Sequence, residues 1–329
     1  MPRPPSSGGV TVLGECVADA FADPARSGPQ ELDLRVLPGG GPANTAVALA
    51  RLGTPTRLRA RLSHDVLGTL FRNRLTDAGI DLSAGVSADE PSVLAIAGLD
   101  ESGQATYTFY ADGAADWQWS TDELAAAPYD DTLCLHTGSL ALIHQPGGSR
   151  IEDHLAAVRE QLTICLDPNV RPHLVPPAAY RERLPRWCAL ADILRLSEDD
   201  LALLLPEAGP EQACDIWHAL GAPLVVITRG RHGALASLNG RRVTVPAPAV
   251  DVVDTVGAGD SFTAGLLHRL AALGHLGGRL DALKLDDLAD ACSFAARVAA
   301  LTCSVPGANP PSAEQAAQTG DFERLRPPA

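Results

Sequence analysis

The sequence contains one lysine. Lys284 lies in Ala-Leu-Lys-Leu-Asp-Asp with no glycine loop before it, whereas a Walker A loop needs Gly-Lys-Ser/Thr to hold nucleotide phosphates, so P-loop chemistry is excluded. A protein kinase, a pyridoxal enzyme or a Schiff-base aldolase each needs a lysine in a particular setting, and Lys284 reads as a surface helix residue. Cysteines are few and unpaired by spacing: the seven are scattered, odd in number and never C-x-x-C, which points to buried thiols in a reducing cytosol. The nine histidines form no H-E-x-x-H or comparable pair, so a protein-held zinc site is not expected. No apolar run approaches membrane-spanning length, and Met1 to Gly9 lacks the apolar stretch of a secretory signal; a cytoplasmic chain with no membrane partner is expected. Positive charge is scarce as well. With 26 Lys and Arg against 40 Asp and Glu the formal charge is −14, which repels a phosphodiester backbone and argues against a nucleic-acid partner.

What is present is a long, apolar, glycine-rich chain. Its 329 residues are 46% hydrophobic with 30 glycines, enough to bury one large domain spanning residues 1–329. Short apolar runs alternate with longer amphipathic ones, which is the pattern of an α/β fold with a central, mainly parallel sheet flanked by helices. The strands expected are Val10 to Leu13, Thr56 to Leu62, Leu133 to His136, Thr163 to Leu166, Ile193 to Leu196 and Leu224 to Thr228. Helices are expected over Asn44 to Leu52, Val66 to Ala78, Ile151 to Gln161, Glu211 to Leu220, Ala258 to Ala272 and Leu285 to Leu301. Two segments break the rhythm, Val17 to Val36 and Ser92 to Trp119, the second reading as a hairpin around Asp100-Glu-Ser-Gly. A small sheet projecting from the body accounts for both. The tail after Pro310 is expected to drape over the surface or fray.

Two motifs carry chemistry. In Asp254-Thr-Val-Gly-Ala-Gly-Asp-Ser-Phe, the turn Gly257-Ala258-Gly259 opens a long apolar-periodic helix. Its unpaired N–H groups and the helix dipole favour an anion above them, and phosphoryl transfer spreads negative charge that such donors stabilise without a lysine. Asp260, in the first helical turn, is the natural general base. A glycine turn followed by an acid that merely complements the dipole is the competing reading. The second motif is Pro38-Gly39-Gly40-Gly41-Pro42-Ala43-Asn44, ahead of an alanine-rich helix. Its glycines permit close backbone approach to a ligand and Asn44 offers donor and acceptor to sugar hydroxyls, unless Asn44 is simply the helix N-cap.

Together the two motifs resemble the ribokinase family, the PfkB carbohydrate kinases: Gly39-Gly40-x-x-x-Asn44 with Gly53 is similar to its N-terminal signature, and Asp254-Thr-x-Gly-Ala-Gly-Asp260 to its C-terminal one. The resemblance runs from Val10 to about Pro311. It implies a ribokinase-like fold, ATP with Mg2+, and a sugar as acceptor. It further implies that Asp19 binds the sugar beside Gly39, Gly40 and Asn44, and that Arg171 of Asp167-Pro-Asn-Val-Arg approaches the phosphates. By the same resemblance Thr228, Gly230 and Gly233 lie near ATP, and Val305-Pro-Gly307-Ala308 with Asn309 lies beside the adenine and a site for K+. Residues of about 15–36 and 92–118 would form a lid, with Tyr107 and Phe109 facing the sugar, although hairpin packing alone would also occupy Tyr107, Phe109 and Trp117. In many relatives such lids clasp into a homodimer. Where the family usually has Asn-x-x-Glu, this chain has Ser197-Glu-Asp-Asp200, so that magnesium would be held by Asp200 through water. Val305 stands where arginine is frequent, and Ala296 where asparagine is.

The subgroup most similar is the fructokinases, on Gly14-Glu, Tyr107 to Trp117 and Asp167-Pro-Asn-x-Arg-Pro. Fructose is therefore the expected acceptor. 2-Keto-3-deoxygluconate, ribose or a nucleoside are the alternatives within the family, and a non-catalytic sugar sensor the alternative outside it. A dinucleotide-binding dehydrogenase fails because Phe262 follows Gly257-x-Gly259 where a third small residue is required.

Overall fold

Apolar runs bounded by turn residues become strands, and the amphipathic stretches between them become helices. The computed structural model describes residues 8–23, 25–99 and 105–318. From the amino end come β1 (Gly9–Leu13), β2 (Val17–Ala22), β3 (Leu34–Gly39), α1 (Gly41–Arg51), β4 (Thr56–Arg59) and β5 (Arg61–Ser63). Then follow α2 (Val66–Asp77), β6 (Val86–Ala88), β7 (Val93–Leu99), β8 (Ala105–Tyr110), α3 (Thr121–Ala125), β9 (Thr132–Gly138), α4 (Ser139–Ile143) and α5 (Gly147–Val158). The second half has β10 (Thr163–Asp167), α6 (Pro177–Leu190), β11 (Ile193–Ser197), α7 (Glu198–Leu204), α8 (Pro210–Ala219) and β12 (Leu224–Thr228). It closes with β13 (Ala234–Leu238), β14 (Arg241–Val245), α9 (Ala258–Ala272), α10 (Leu285–Cys303) and α11 (Ala313–Ala317).

Eight strands make the central sheet in the order β14-β13-β12-β11-β10-β9-β1-β4. Neighbours from β4 to β12 run parallel, while β13 and β14 return antiparallel. Because side chains alternate along a strand, each parallel strand feeds two cores. Leu224 and Val226 join a cluster with residues of α1, α9 and α10; Val225 and Ile227 join one with residues of α5, α6 and α8. Each such side chain contributes about 1.5–3 kcal/mol by leaving water. Parallel strands end on a common rim, so Leu13, Gly138, Asp167, Ser197 and Thr228 collect there, where α/β sheets bind ligands. No helix among the described residues is long and apolar enough to cross a membrane.

A separate four-stranded sheet runs β3-β2-β7-β8. The parallel pairing of β2 with β7, Asp19 opposite Ala95, joins the two segments that broke the α/β rhythm. Asp100-Glu-Ser-Gly, the side chain of Tyr107, and the chain before Gly8 and after Gln318 lie outside the described residues. Several expectations change. The run Thr56 to Leu62 divides at Ala60 because β4 pairs with β1 while β5 pairs with β6. Trp117 belongs to the body: it is 2% exposed, donates from Nε1 to the Ala111 carbonyl at 2.8 Å and stacks on His144. The segment after Pro310 forms α11, started by a Ser312–Gln315 capping box and pinned by buried Ala316. Lys284 is exposed, as expected of a surface residue, but it is the N-cap of α10.

Candidate active site

Gly257 has φ of 75°, a left-handed conformation that glycine adopts at no cost, and it turns the chain into α9. No side chain caps that helix start; the Ala258 N–H bonds the Thr255 carbonyl at 3.2 Å, and the N–H groups of Gly257, Gly259 and Asp260 are left for an anion. A methyl on Gly257 would stand 2.8 Å from Cβ of Ala308, so the 305–309 loop packs directly against the turn. Asp254 ties the two together by accepting from the Gly307 N–H at 2.8 Å.

Asp260 follows in the first turn of α9. Asn44 donates from Nδ2 to its Oδ2 at 3.0 Å, bridging 216 residues of sequence. Asn44 is not the N-cap of α1: the helix begins at Gly41 and the Asn44 N–H bonds the Gly40 carbonyl, which leaves its side chain for Asp260. Burial pushes the Asp260 carboxyl up to about 6; Asn44 opposes the shift, Asp167 adds to it, and Arg171 and Arg195 oppose it. A carboxylate with that value accepts a proton near neutral pH.

In front of Asp260 lies a cavity of about 520 Å3, lined from both sheets. The body contributes Glu15, Gly40, Gly41, Asn44, Ser139, Asn169, Arg171, Gly257 and Gly259, while the small sheet contributes Val17, Asp19, Ala95 and Phe109. The glycine loop is shaped by its neighbours: a methyl on Gly39 would meet Asp19 Oδ2 at 2.2 Å, and one on Gly41 would meet Asn169 Nδ2 at 2.7 Å. Glu15, 1% exposed, accepts from the Ala141 N–H at 3.0 Å; burial raises its pKa against the pull of Ser139 and Arg171. Burial also raises that of Asp19, opposed by Arg171 and Arg74.

A second cavity, about 400 Å3, lies across the turn and is mostly apolar. Pro248, Val250, Phe262, Ala296, Ala299 and Ala300 give it walls suited to a purine, and Thr228, Gly230 and Gly233 border it. Gly233, at φ 82°, also lets the chain pass under β14, since a methyl there would collide with the Val245 carbonyl at 1.9 Å. Thr255 and Gly259 line both cavities, so the polar and the apolar space meet at the start of α9.

Beneath that junction lies Arg195, 4% exposed in β11. It donates to Asp167 Oδ2 at 2.7 Å and to Thr228 Oγ1 at 2.8 Å. A methyl on Gly259 would be 3.0 Å from Nη1, so the guanidinium lies flat against the turn. Burial opposes its charge, but Asp167, Asp200 and Asp260 more than offset this and keep it protonated.

Two expected site residues face elsewhere. Asp200 spends both carboxylate oxygens inside the body: Oδ2 accepts from the Ser197 N–H and hydroxyl, and Oδ1 from the Val170 N–H at 2.8 Å. It caps α7 and anchors the 167–171 loop, and lines neither cavity. Asn309 is exposed, accepts from Arg51 Nη1 at 2.6 Å and also lies outside both linings.

The profile of the pfkB family carbohydrate kinases matches residues 8–316. The chain belongs to that family. A fructokinase of Rhizobium leguminosarum bv. trifolii is 38% identical over 233 residues, 70% of this chain and 71% of that protein. A fructokinase of Klebsiella pneumoniae is 35% identical over 272 residues, 82% of this chain and 86% of that one. A structure of a Vibrio cholerae O395 fructokinase double mutant with fructose, ADP and potassium bound superposes with a TM-score of 0.79 at 27% identity, covering 98% and 99% of the two chains. This kinase therefore carries out ATP-dependent phosphorylation of a sugar.

Glu15, Ser139, Asn169 and Arg195 line the two cavities without being among the candidate residues that the sequence offered. Arg195 had a signal, an isolated charge between Leu194 and Leu196 in a run otherwise fit for a buried strand. Ser139 and Asn169 take φ of 53° and 42°, which sequence alone does not announce.

Proposed function

We propose that the kinase phosphorylates fructose, with Asp260 accepting the proton of the hydroxyl that attacks the terminal phosphate of ATP. The observation that carries this reading is the half-buried Asp260 carboxylate lining the polar cavity, one residue beyond Gly259, which the polar and the apolar cavities share. Sugar hydroxyls suit the carboxylates and amides of Glu15, Asp19, Asn44 and Asn169, and the adenine suits the apolar walls. In the transfer the hydroxyl oxygen bonds the terminal phosphorus, the bond to the bridging oxygen breaks and ADP leaves. The proton passes to Asp260, while the N–H groups of Gly257, Gly259 and Asp260 face the charge on the moving group. Arg171 approaches from the sugar side, and Arg195 supplies a fixed positive charge from below.

Magnesium finds no cage of protein ligands: among the described residues no three His, Cys, Asp or Glu side chains converge, and Asp200 is committed inward. The nucleotide phosphates and water are its natural ligands. Potassium belongs beside the 305–309 loop on this reading. The small sheet acts as a lid, and Phe21 and Leu37, on the face that carries Asp19 and 45% and 36% exposed, are residues a second copy would bury in a homodimer.

ADP formation from ATP across a sugar panel tests the acceptor. Fructose is expected to be turned over best; a keto-acid such as 2-keto-3-deoxygluconate replacing it is the second reading, favoured by Arg171 and His173 in the same cavity. Asp260→Asn is expected to fold and lose about a thousandfold or more in kcat. Because the base must be ionised and its pKa is raised to about 6, kcat/KM in the parent enzyme is expected to fall as pH drops through about 6.

A further inference from the structure

Arg74, near the end of α2, is a half-buried guanidinium whose hydrogen-bond partners are all neutral oxygens. It donates to the Pro38 carbonyl, to Asn44 Oδ1 at 3.2 Å and to the Ala308 carbonyl at 3.3 Å. Those acceptors belong to the sugar loop, to α1 and to the loop packed against Gly257. A guanidinium has donors and no acceptor, so it can face only the oxygen of an amide. The orientation of Asn44 is thereby decided, and its nitrogen is left for the Asp260 carboxylate 3.0 Å away. With the amide reversed, Oδ1 would oppose the carboxylate, and the proton acceptor would lose a donor and gain a repulsion.

We propose that Arg74 is a positioning residue for Asp260, acting through Asn44: it holds the amide so that Nδ2 donates to Oδ2, and it makes that orientation depend on the sugar loop and the 305–309 loop both being in place. The proposal rests on Asp260 being the base. Asp260 is also faced by Asp167 at the end of β10, by Arg171 in the loop after it and by Arg195 in β11, and it feels the charge of Arg74 itself. Arg74 is faced in addition by Asp19 and Cys16 from β2 and its approach. A direct field from Arg74 on the carboxylate and an effect relayed by Asn44 are thus distinct, and a double substitution separates them.

The test is the pH dependence of kcat/KM and kcat with ATP and the preferred sugar in Arg74→Met, Arg74→Lys, Asn44→Ala and Asn44→Ala/Arg74→Met, with thermal unfolding as a check on folding. Arg74→Met is expected to lower kcat about tenfold, to change the sugar KM less than about threefold, and to move the acid limb upward by about one pH unit. Arg74→Lys, with one ammonium for three acceptors, is expected to fall between, and serves as the comparison should Arg74→Met not fold. In the Asn44→Ala background the Arg74 substitution is expected to add almost no further shift. An acid limb unmoved by Arg74→Met, or moved as far with Asn44 absent as with it present, overturns the proposal. An active Asp260→Asn would instead overturn the assignment of the base, whatever the Arg74 series showed.

Discussion

At the scale of single residues, the sugar side of the site is shaped by what glycine omits. Gly39 adopts a backbone open to any residue, yet its absent methyl leaves the space that Asp19 Oδ2 occupies. Gly39→Ala is therefore expected to displace a flexible carboxylate and leave the fold intact. A rise in the sugar KM of about tenfold, with the melting temperature unchanged, is the expected result; a normal KM would show that Asp19 does not hold the sugar. Residues of this kind were legible in part. Asn44 and Asp260 are 216 positions apart, and only their two motifs bring them together in a reading of the chain. Asp200 and Asn309 sit in motif positions whose side chains turn to a helix cap and to Arg51, a choice made by neighbours that a linear sequence does not display.

At the scale of elements, β11 carries an ion pair where a strand would ordinarily carry another aliphatic side chain. Arg195 and Asp167 are 5% and 8% exposed at their side chains, so removing one strands the other in a medium that solvates it poorly. Arg195→Met is expected to cost about 3–5 kcal/mol in urea unfolding and to raise the KM for ATP, and Asp167→Asn in the same chain to recover part of the stability. A loss below about 1 kcal/mol would mean the pair does not hold the rim. Elements with simple periodicity were readable, and the expected bounds of α9, Ala258 to Ala272, are those observed. The β13–β14 hairpin was not recognised although Asn239 and Gly240, at φ 48° and 82°, are the pair a tight hairpin turn favours. Helix α6 was hidden by Pro185 in its interior, a residue that ordinarily ends a helix.

At the scale of the whole molecule, two sheets with different duties share one cavity. The central sheet has helices on both faces and a double core, whereas the small sheet buries Ala18 and Ala20 on one face of β2 and leaves Phe21 45% exposed on the face that carries Asp19. If it closes over the sugar, amide exchange in β2, β3 and β7 is expected to slow when fructose is added, with β10 and β12 already protected in both states. Equal exchange with and without sugar would remove the lid from the account. The lone lysine has its own consequence. Lys284 starts α10, just after a segment whose Gly277 and Gly278 N–H groups bond Thr163 Oγ1 at the opening of β10, on the rim away from Asp260. Reagents that seek ε-amines therefore have one target on the described surface, at the pole opposite the mouth of the site, and coupling through it would present every molecule to solution in the same orientation.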